Sequence, residues 1–319
     1  MFKNFFFWLE NARVYSLPIT ILNWLVIFVY SLKHNGNTTL GIIALVGICL
    51  VHLATNLTDD YFDYKILCKD ENYLNSSQNC KCKYLKDNKT STAELKKVIF
   101  LFLGIAAMIG GVLFFFSRPM VAVLAGIALI IAIFYSKMSR LCLGELAVIL
   151  AYGPLMYEGV YYVMTRSFSM EVLVLSLACA FFTNTILYVH MLMDFDGDEC
   201  AHKKTLCRKF NTKDNALRFI LVFYLLSYIL LGGLAVKTGN YFYLLPYLTL
   251  PMIIDLYNSM KLFNNDNKNL PKIYFWHYPL DNWKVVKKTP DAPFYFRFFY
   301  SRNITTLFMI LACLGILLN

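Results

Sequence analysis

The chain has 319 residues, of which 58% are hydrophobic and only 16% are charged, and its mean hydropathy is +0.53. Ordinary soluble domains carry about 25% charged residues, so the composition excludes a soluble domain and indicates a polytopic membrane protein. The formal net charge of +10 suits anionic headgroups or an anionic substrate and does not favour nucleic acid as a partner.

The N-terminus, MFKNFFFWLENARVYS, is aromatic and amphipathic and lacks the small-residue cleavage site of a signal peptide. We expect it to lie along the membrane interface. A helix needs about 20 apolar residues to cross a bilayer, and a backbone in lipid must satisfy its own hydrogen bonds. The sequence supplies nine such segments, near 15–33, 40–57, 97–117, 119–136, 145–164, 170–193, 216–236, 241–260 and 303–318. It therefore predicts an all-α integral membrane protein with about nine transmembrane helices.

Charge distribution predicts the orientation of these helices. Four basic residues fall in the connections after the odd-numbered helices, namely Lys33, Arg118, Arg166 and Lys237. The other 26 of the 30 Lys and Arg lie at the N-terminus or around the remaining connections. By the positive-inside rule these connections are cytoplasmic, which predicts a multi-pass cell-membrane protein.

Three polar segments interrupt the membrane pattern, near 64–96, 194–214 and 261–302, and all face the predicted cytoplasm. None is large enough to form a soluble domain alone, so we expect residues 1–319 to form a single membrane domain. The third segment is rich in Asn, Pro and aromatic residues, which favours a cap or an interfacial loop.

An acidic stripe follows the second apolar segment, in TNLTDDYFDYK at 55–65. Asn56, Asp59, Asp60 and Asp63 are spaced i, i+3, i+4 and i+7, so on a helix they are predicted to share one face. The sixth segment ends in HMLMDFDGD, which places Asp194 and Asp198 four residues apart and His190 one turn earlier.

Carboxylates this close together repel each other and need cations beside a membrane. Oxygen-rich sites suit Mg²⁺, which bridges carboxylates to substrate phosphates. The alternative is that both helix ends are acidic only because they are wet. Two clusters, each followed by basic residues, favour a metal and diphosphate site, and the nearby cations are Lys137, Arg140, Lys203, Lys204, Arg208 and Lys209.

Three stretches resemble a known family. DDYFDYK is similar to an NDYFDYK-type motif and DFDGDECAHKKTL to a DxxxD…KRTL-type motif of the UbiA superfamily of intramembrane prenyltransferases. Between them, LGELAVILAYGPLMYEGVYYV resembles the LGE…FGPL…GTYYV segment of the branch that prenylates 1,4-dihydroxy-2-naphthoate in menaquinone biosynthesis. The match spans most of the chain in the right order.

The resemblance implies a nine-helix bundle around a central cavity, with Mg²⁺ as cofactor. It implies transfer of a prenyl group from a polyprenyl diphosphate to an aromatic acceptor. Asp59 and Asp63 match the first motif, with Asp59 in place of Asn, and Asp194 and Asp198 match the second. Other departures are His190 in place of Asn, Met193 in place of Arg, and no Gly pair after Tyr135. Tyr135 and Arg140, in FYSKMSR, resemble a spacing that contacts diphosphate in relatives.

The predicted site therefore has three groups of residues. The predicted metal ligands are Asn56, Asp59, Asp60, Asp63, His190, Asp194 and Asp198. The predicted diphosphate contacts are Tyr135, Lys137, Arg140 and Lys204. Asp63, Arg140, Glu145, Asp194 and Asp198 are the predicted catalytic residues. Glu145 opens the fifth segment, where an acid can orient an acceptor hydroxyl or take its proton, or merely favour the helix N-terminus.

Three alternatives stay open at this point. Tyr61, Tyr135 and Tyr188 are candidates to stabilise an allylic cation, or they only pack. Within the family, the acceptor can be another aromatic compound or a lipid. In a different class, intramembrane acids can serve a cation-coupled transporter, although transporter acids usually lie near the bilayer midplane.

Overall fold

The computed structural model describes residues 5–67, 82–117, 119–200 and 204–318, without the side chains of residues 197, 199 and 200. Within those ranges the chain is helical, and its only extended pairing is an isolated bridge between Leu141 and Lys204. The prediction of an all-α protein is confirmed.

The α-helices are numbered here in chain order. They are α1 (Phe5–Asn11), α2 (Leu17–Lys33), α3 (Thr38–Leu67), α4 (Lys83–Lys86), α5 (Thr92–Ser117), α6 (Met120–Arg140), α7 (Gly144–Leu150), α8 (Met156–Thr165), α9 (Met170–Met193), α10 (Phe195–Cys200), α11 (Lys213–Thr238), α12 (Leu250–Asn265), α13 (Trp283–Val286) and α14 (Ala292–Leu317).

Eight helical segments of the described chain are long and apolar enough to cross a membrane. The predicted ninth, 241–260, is also helical, but it is not one α-helix. It begins as a 3₁₀-helix over Tyr241–Thr249 and continues as α12. Pro246 lies inside the 3₁₀ part and Pro251 in the first turn of α12. Proline lacks the N–H that an α-helical hydrogen bond needs, which accounts for the break.

The predicted fifth segment is likewise two helices joined by a π-helical turn. Gly153 and Pro154 lie in that turn, over Ala151–Leu155, and Gly153 has non-helical backbone angles. A Cβ atom added to Gly153 would lie 2.8 Å from the Cβ of Ala180. Only glycine lets α9 approach this closely, so the kink and the packing of the fifth segment against α9 depend on the same residue.

The helices form a bundle in which α3 packs mainly against α5, and α9 packs mainly against α11. Large apolar side chains face outward on several of them, including Phe100, Met108, Phe115, Ile130, Val236 and Ile254. Buried polar residues lie inside, among them Asn23, Glu145, Thr183 and Asn184. Apolar residues outside and polar residues inside are the arrangement expected in lipid.

The N-terminal segment packs over one end of this bundle. Trp8 and Ala12 contribute to a separate apolar cluster with Leu57 of α3, Tyr84 of α4 and Leu95 of α5. Phe5 and Phe6 are 63% and 73% exposed. This pattern agrees with the prediction that the segment is amphipathic.

Candidate active site

The acidic stripe is helical throughout, because α3 continues to Leu67 and so extends about ten residues beyond the predicted span. The four stripe residues nevertheless have different neighbours. Asn56 donates its side-chain amide to the carbonyl of Ala12, at 2.9 Å. Asp60 forms an ion pair with Arg13 and accepts a hydrogen bond from the hydroxyl of Tyr84, at 3.1 Å.

The prediction that all four share one face of a helix agrees with the structure, and Asp60 lies at one border of that face. Consecutive helical residues differ by about 100° around the axis, so Asp59 and Asp60 stand on opposite borders of the stripe. Asp60 is completely buried, and both of its carboxylate oxygens have protein donors. The structure places Asp60 in the contact with the N-terminal segment through Arg13, which also interacts with Asp59.

Arg13 was not predicted as a site residue. Burial lowers the pKa of Arg13, but the carboxylates of Asp60 and Asp59 outweigh burial, and the pKa lies above its ordinary value. Arg13 is separated from both acids by more than 40 residues, and nothing in the local sequence distinguishes it from other basic residues near the N-terminus. Only the packing of the N-terminal segment on α3 reveals it.

Asp63 meets the predicted diphosphate-binding arginine. The Nη2 atom of Arg140 lies 2.7 Å from Oδ1 of Asp63 and 3.2 Å from the hydroxyl of Ser136. Arg140 closes the last turn of α6, where the helix dipole favours a cation. Two residues predicted from separate motifs are thus in direct contact.

Tyr135 lies among the acids on the inner side of α6. Its hydroxyl interacts electrostatically with Asp59, Glu145, Tyr152 and Arg13. Lys137 is exposed, and two helical positions turn it about 200° from Tyr135. The structure therefore brings Tyr135 to the cluster and leaves Lys137 on the opposite side of the helix.

Glu145 lies in the first turn of α7 and is 4% exposed. Its carboxylate accepts a hydrogen bond from the backbone of Leu206. Within the part of the chain that the structure describes, its Oε1 atom has no hydrogen-bond partner. A buried carboxylate oxygen without a donor is costly, so Glu145 has capacity for one more polar contact.

The second acidic cluster begins where α9 ends. Asp194 is the C-terminal cap of α9, and Asp198 lies in the short α10. The backbone N–H of Asp198 still donates to the carbonyl of Asp194, at 2.8 Å, so the predicted four-residue spacing survives the break. Nδ1 of His190 lies 3.3 Å from Oδ2 of Asp194, which confirms that these two side chains share a face.

Cys207 connects this cluster with Glu145. Its thiol interacts with both Glu145 and Asp198. Burial raises the pKa of Cys207, and the two neighbouring carboxylates raise it further, so the thiol stays protonated. Tyr135 and Cys207 together place Glu145 between the acids of α3 and those of the α9–α10 junction.

Lys204 lies beside the α6–α7 connection, where it forms an isolated bridge with Leu141. Its backbone carbonyl accepts from the thiol of Cys142, at 2.8 Å, and its side chain is exposed. The backbone of the second basic motif is thus tied to the α6–α7 connection, close to Glu145. The neighbouring Lys203 lies outside the described residues.

A hydrogen-bonded cluster that was not predicted lies deeper, around His52. Nε2 of His52 lies 2.7 Å from the Ser16 hydroxyl, and Nδ1 lies 2.7 Å from Thr20 and 2.8 Å from the Tyr152 hydroxyl. Ser16 donates its own proton to the carbonyl of Arg13, so it must accept from the Nε2–H of His52. His52 is therefore an interior histidine with both ring nitrogens hydrogen-bonded. Tyr152 joins this cluster to Tyr135.

The other two candidate tyrosines make both packing and polar contacts. Tyr188 is fully buried and donates to the carbonyl of Ala216, at 2.8 Å. Tyr61 faces the ammonium groups of Lys65 and Lys96, at 4.7 and 5.1 Å from its ring centroid. The hydroxyl of Tyr188 also interacts with Cys207 and Glu145, so Tyr188 borders the site as Tyr135 does.

The donor set fits a divalent cation held jointly with a phosphate ligand. Across residues 5–67, 82–117, 119–200 and 204–318, no three His, Cys, Asp or Glu side chains form a ready-made metal cage. Mg²⁺ does not need one, because it is commonly bound by one or two carboxylates together with substrate phosphates and water. Asp59 and Asp63 on one side and Asp194 and Asp198 on the other provide such carboxylates.

The chain is similar to known proteins in sequence and in fold. The model of the UbiA prenyltransferase family matches residues 16–279. A UbiA homologue from Aeropyrum pernix K1 is 16% identical with a TM-score of 0.65, and the match covers 94% of this chain and 98% of that one. A UbiA homologue from Archaeoglobus fulgidus, bound to GPP and Mg²⁺, is 14% identical with a TM-score of 0.60, covering 97% and 99%.

A structure of digeranylgeranylglyceryl phosphate synthase is 17% identical with a TM-score of 0.58, and the match covers 98% of both chains. No curated protein matches this sequence. At these identities the structural matches establish a shared fold, whereas the family match covers most of the sequence. The chain belongs to the UbiA prenyltransferase family.

Proposed function

We propose that this protein transfers a polyprenyl group from a polyprenyl diphosphate to an aromatic acceptor, and that the acceptor is 1,4-dihydroxy-2-naphthoate. The observation that carries the proposal is the position of Glu145 between two groups of acids, with Tyr135 beside it and Arg140 on Asp63. This is one continuous polar site built from motifs that lie far apart in the sequence.

The residues divide into a donor side and an acceptor side. Asp59, Asp63, Asp194 and Asp198 are proposed to hold Mg²⁺, which when bound neutralises the diphosphate as a leaving group. Arg140 has five N–H donors, and those beyond its bonds to Asp63 and Ser136 are available to diphosphate oxygens. The exposed Lys204 side chain is proposed to add a second cation.

The reaction breaks the bond between C1 of the prenyl chain and the diphosphate oxygen, and the electron pair leaves with diphosphate. C1 then bonds to an electron-rich ring carbon of the acceptor. With dihydroxynaphthoate the ring regains aromaticity by losing its carboxyl group as CO₂. Glu145, with one carboxylate oxygen unpartnered in the described structure, is proposed to orient an acceptor hydroxyl or take its proton.

The resemblance of LGELAVILAYGPLM to the naphthoate branch supports this acceptor. A lipid acceptor is the second candidate, because a structural neighbour across the whole chain is digeranylgeranylglyceryl phosphate synthase. The family assignment argues against the transporter alternative. We further propose that the protein is a multi-pass cell-membrane protein with its acidic clusters facing the cytoplasm.

The deciding experiment incubates purified protein in lipid nanodiscs with Mg²⁺ and labelled geranylgeranyl diphosphate. Separate reactions contain 1,4-dihydroxy-2-naphthoate, 4-hydroxybenzoate or geranylgeranylglyceryl phosphate, and products are identified by mass. We expect a prenylated naphthoquinol to form, and we expect EDTA to abolish its formation. Transfer to either other acceptor with none to dihydroxynaphthoate would overturn the acceptor assignment. If the unaltered protein transferred the prenyl group to none of the three acceptors, the result would count against the proposed activity.

A further inference from the structure

The connection between α12 and α14, residues 266–291, folds back along both helices. A 3₁₀ turn over Phe275–His277 is bonded to α12 at Asp255. Oδ2 of Asp255 lies 2.8 Å from Nε2 of His277 and accepts from the indole N–H of Trp276, at 3.1 Å. The hydroxyl of Tyr300, on α14, donates to the same oxygen, at 3.1 Å.

A second set of bonds holds the end of this turn on α14. The side-chain amide of Asn303 donates to the carbonyls of His277 and Pro279, at 2.8 and 2.6 Å. The backbone N–H of Tyr274 donates to Nδ1 of His277, at 2.9 Å. Both ring nitrogens of His277 are therefore engaged, and the turn is braced from two helices.

These contacts define how deep the turn lies. Asp255 is nearly three helical turns from the end of α12 at Asn265, and Tyr300 and Asn303 are two to three turns from the start of α14 at Ala292. At 1.5 Å per residue, both helices place the turn about 12–16 Å inside their ends. A membrane span needs roughly 20 residues, so a span that ends at Leu317 begins near position 298 of α14. The turn lies close to the boundary of the apolar span.

The outward face of the turn is aromatic. Phe275 is 84% exposed, and Tyr274, Trp276 and Tyr278 are 41%, 39% and 53% exposed. The rings of Tyr274 and Trp276 stack with centroids 4.5 Å apart. Residues Tyr274–Tyr278 are called the aromatic turn below. Trp and Tyr concentrate at the headgroup level of membrane proteins, where an apolar ring and a polar group are both satisfied.

The surroundings of the aromatic turn are basic. The connection and the end of α12 carry the exposed lysines Lys261, Lys268, Lys272, Lys284, Lys287 and Lys288. The acids among them are Asp266, Asp281 and Asp291, and Asp281 already pairs with Arg302. The ammonium of Lys272 lies 5.4 Å from the ring centroid of Tyr274. Lysines beside interfacial aromatic residues are attracted to anionic lipids.

We propose that the aromatic turn inserts into the headgroup layer on the acidic-motif side of the membrane, where the flanking lysines bind anionic phospholipid headgroups. The partner is lipid rather than a second copy of this chain, because a symmetric contact would bring two sets of lysines together. The proposal is independent of the acceptor and of the reaction.

Tryptophan quenching tests the insertion. Phe275→Trp is compared with Val285→Trp, a matched position on the same connection that is 57% exposed but lies on α13 among lysines. Each variant is placed in phosphatidylcholine vesicles with about 30 mol% phosphatidylglycerol, and the emission of the unaltered protein is subtracted. We expect lipid brominated near the headgroup end of its chains to quench position 275 several-fold more than position 285, and aqueous iodide to do the reverse.

Equal iodide quenching at both positions would place the turn in water and overturn the proposal. If position 275 were protected from both quenchers and chemical cross-linking gave a dimer, a second copy of the chain would cover the turn. That result would also overturn the proposal. Folding is checked for each variant by its elution as a single peak in detergent.

Lipid selectivity is tested in the Phe275→Trp variant, by energy transfer from the introduced indole to dansyl-labelled lipids. We expect transfer to phosphatidylglycerol to exceed transfer to phosphatidylcholine, and Lys268→Gln with Lys272→Gln to remove the difference. Lys237→Gln, in the last turn of α11, is the control and should leave the preference unchanged. Equal transfer to both lipids in the parent variant, or loss of preference only in the Lys237 variant, would refute the binding of anionic headgroups.

Discussion

Two consecutive aspartates on α3 show how position around a helix determines a residue's role. Asp59 faces Tyr135, whereas Asp60 is buried against Arg13 and Tyr84. The 100° between them directs Asp60 to the contact that holds the N-terminal segment, where its partner Arg13 also interacts with Asp59. The same carboxylate chemistry therefore contributes to stability at one position and is proposed to serve catalysis at the other.

The Asp60–Arg13 pair is expected to contribute to stability and not to catalysis. Asp60→Leu leaves a charged guanidinium in a largely buried place, which costs about 3–5 kcal/mol. The midpoint of thermal unfolding in detergent should fall clearly. The double variant with Arg13→Met removes both charges and should recover most of the loss. A double variant as unstable as the single one would contradict this role.

Activity is expected to require both acidic clusters. Asp63→Asn or Asp194→Asn removes a proposed ligand charge and should lower prenyl transfer at least about 100-fold, as measured with labelled geranylgeranyl diphosphate. Asp196→Asn is the matched control, since Asp196 is exposed and pairs with Lys213. Near-normal turnover in either of the first two variants would remove the proposed metal site.

Glu145 is expected to act on the acceptor rather than on the donor. Glu145→Gln keeps the size of the side chain but removes its charge and its capacity to take a proton. Transfer should fall at least about tenfold, while Mg²⁺-dependent binding of the prenyl diphosphate, measured by calorimetry, stays nearly unchanged. If binding of the prenyl diphosphate fell as much as prenyl transfer, or if prenyl transfer were unaltered, Glu145 would not act on the acceptor. Its role would then be to stabilise the N-terminus of α7.

At the scale of elements, the interrupted fifth segment positions side chains that a regular helix would direct elsewhere. Gly153 and Pro154 lie in the π-helical turn Ala151–Leu155 together with Tyr152, whose hydroxyl contacts His52. The close approach of Gly153 to Ala180 fixes this turn against α9. One small residue thus links the kink, the interhelical packing and the polar cluster.

Gly153→Ala is accordingly expected to destabilise the fold. The added Cβ would lie 2.8 Å from the Cβ of Ala180, and overpacking of this kind costs about 1–3 kcal/mol. Thermal unfolding should show a lower midpoint, and adding Ala180→Gly should restore part of it by making room. Ala180→Gly alone is the control. A double variant no better than Gly153→Ala would indicate that backbone strain, and not the contact, is responsible.

At the scale of the whole molecule, the distribution of charge predicts which ends of the helices share a membrane side. Arg140, Glu145 and Asp194 lie at ends of α6, α7 and α9 and belong to one site. These ends alternate along the chain as the up-and-down bundle requires. The clustering supports the relative orientation of the helices, whereas the side that faces the cytoplasm stays a prediction.

Topology is tested by introducing single cysteines near positions 75, 205 and 285 in a cysteine-free protein. A membrane-impermeant maleimide should label all three from the cytoplasmic side only, because 26 of the 30 basic residues lie on that side in the prediction. Cysteines near 36 and 167 are the controls and should be labelled from outside. Labelling of position 205 from outside would invert the orientation.

The sequence by itself determined the helical membrane class, the positions of the apolar segments and the family motifs. These are local properties, because about 20 consecutive apolar residues suffice to define a span and a few spaced residues define a motif. Composition also favoured an interfacial position for the aromatic connection before α14. The residue types at Pro246 and Gly153 indicate that the α-helix can break there. They do not indicate whether a 3₁₀-helix or a π-helical turn replaces it.

Only the tertiary structure decided which residues meet. Arg13 and Asp60 are 47 residues apart, Arg140 and Asp63 are 77 apart, and His52 and Tyr152 are 100 apart. Helical periodicity gives the direction of a side chain relative to its own helix, but not which helix lies opposite. That choice depends on the packing of the whole bundle, which buried Asp60 against the N-terminal segment and placed Glu145 between the two acidic clusters.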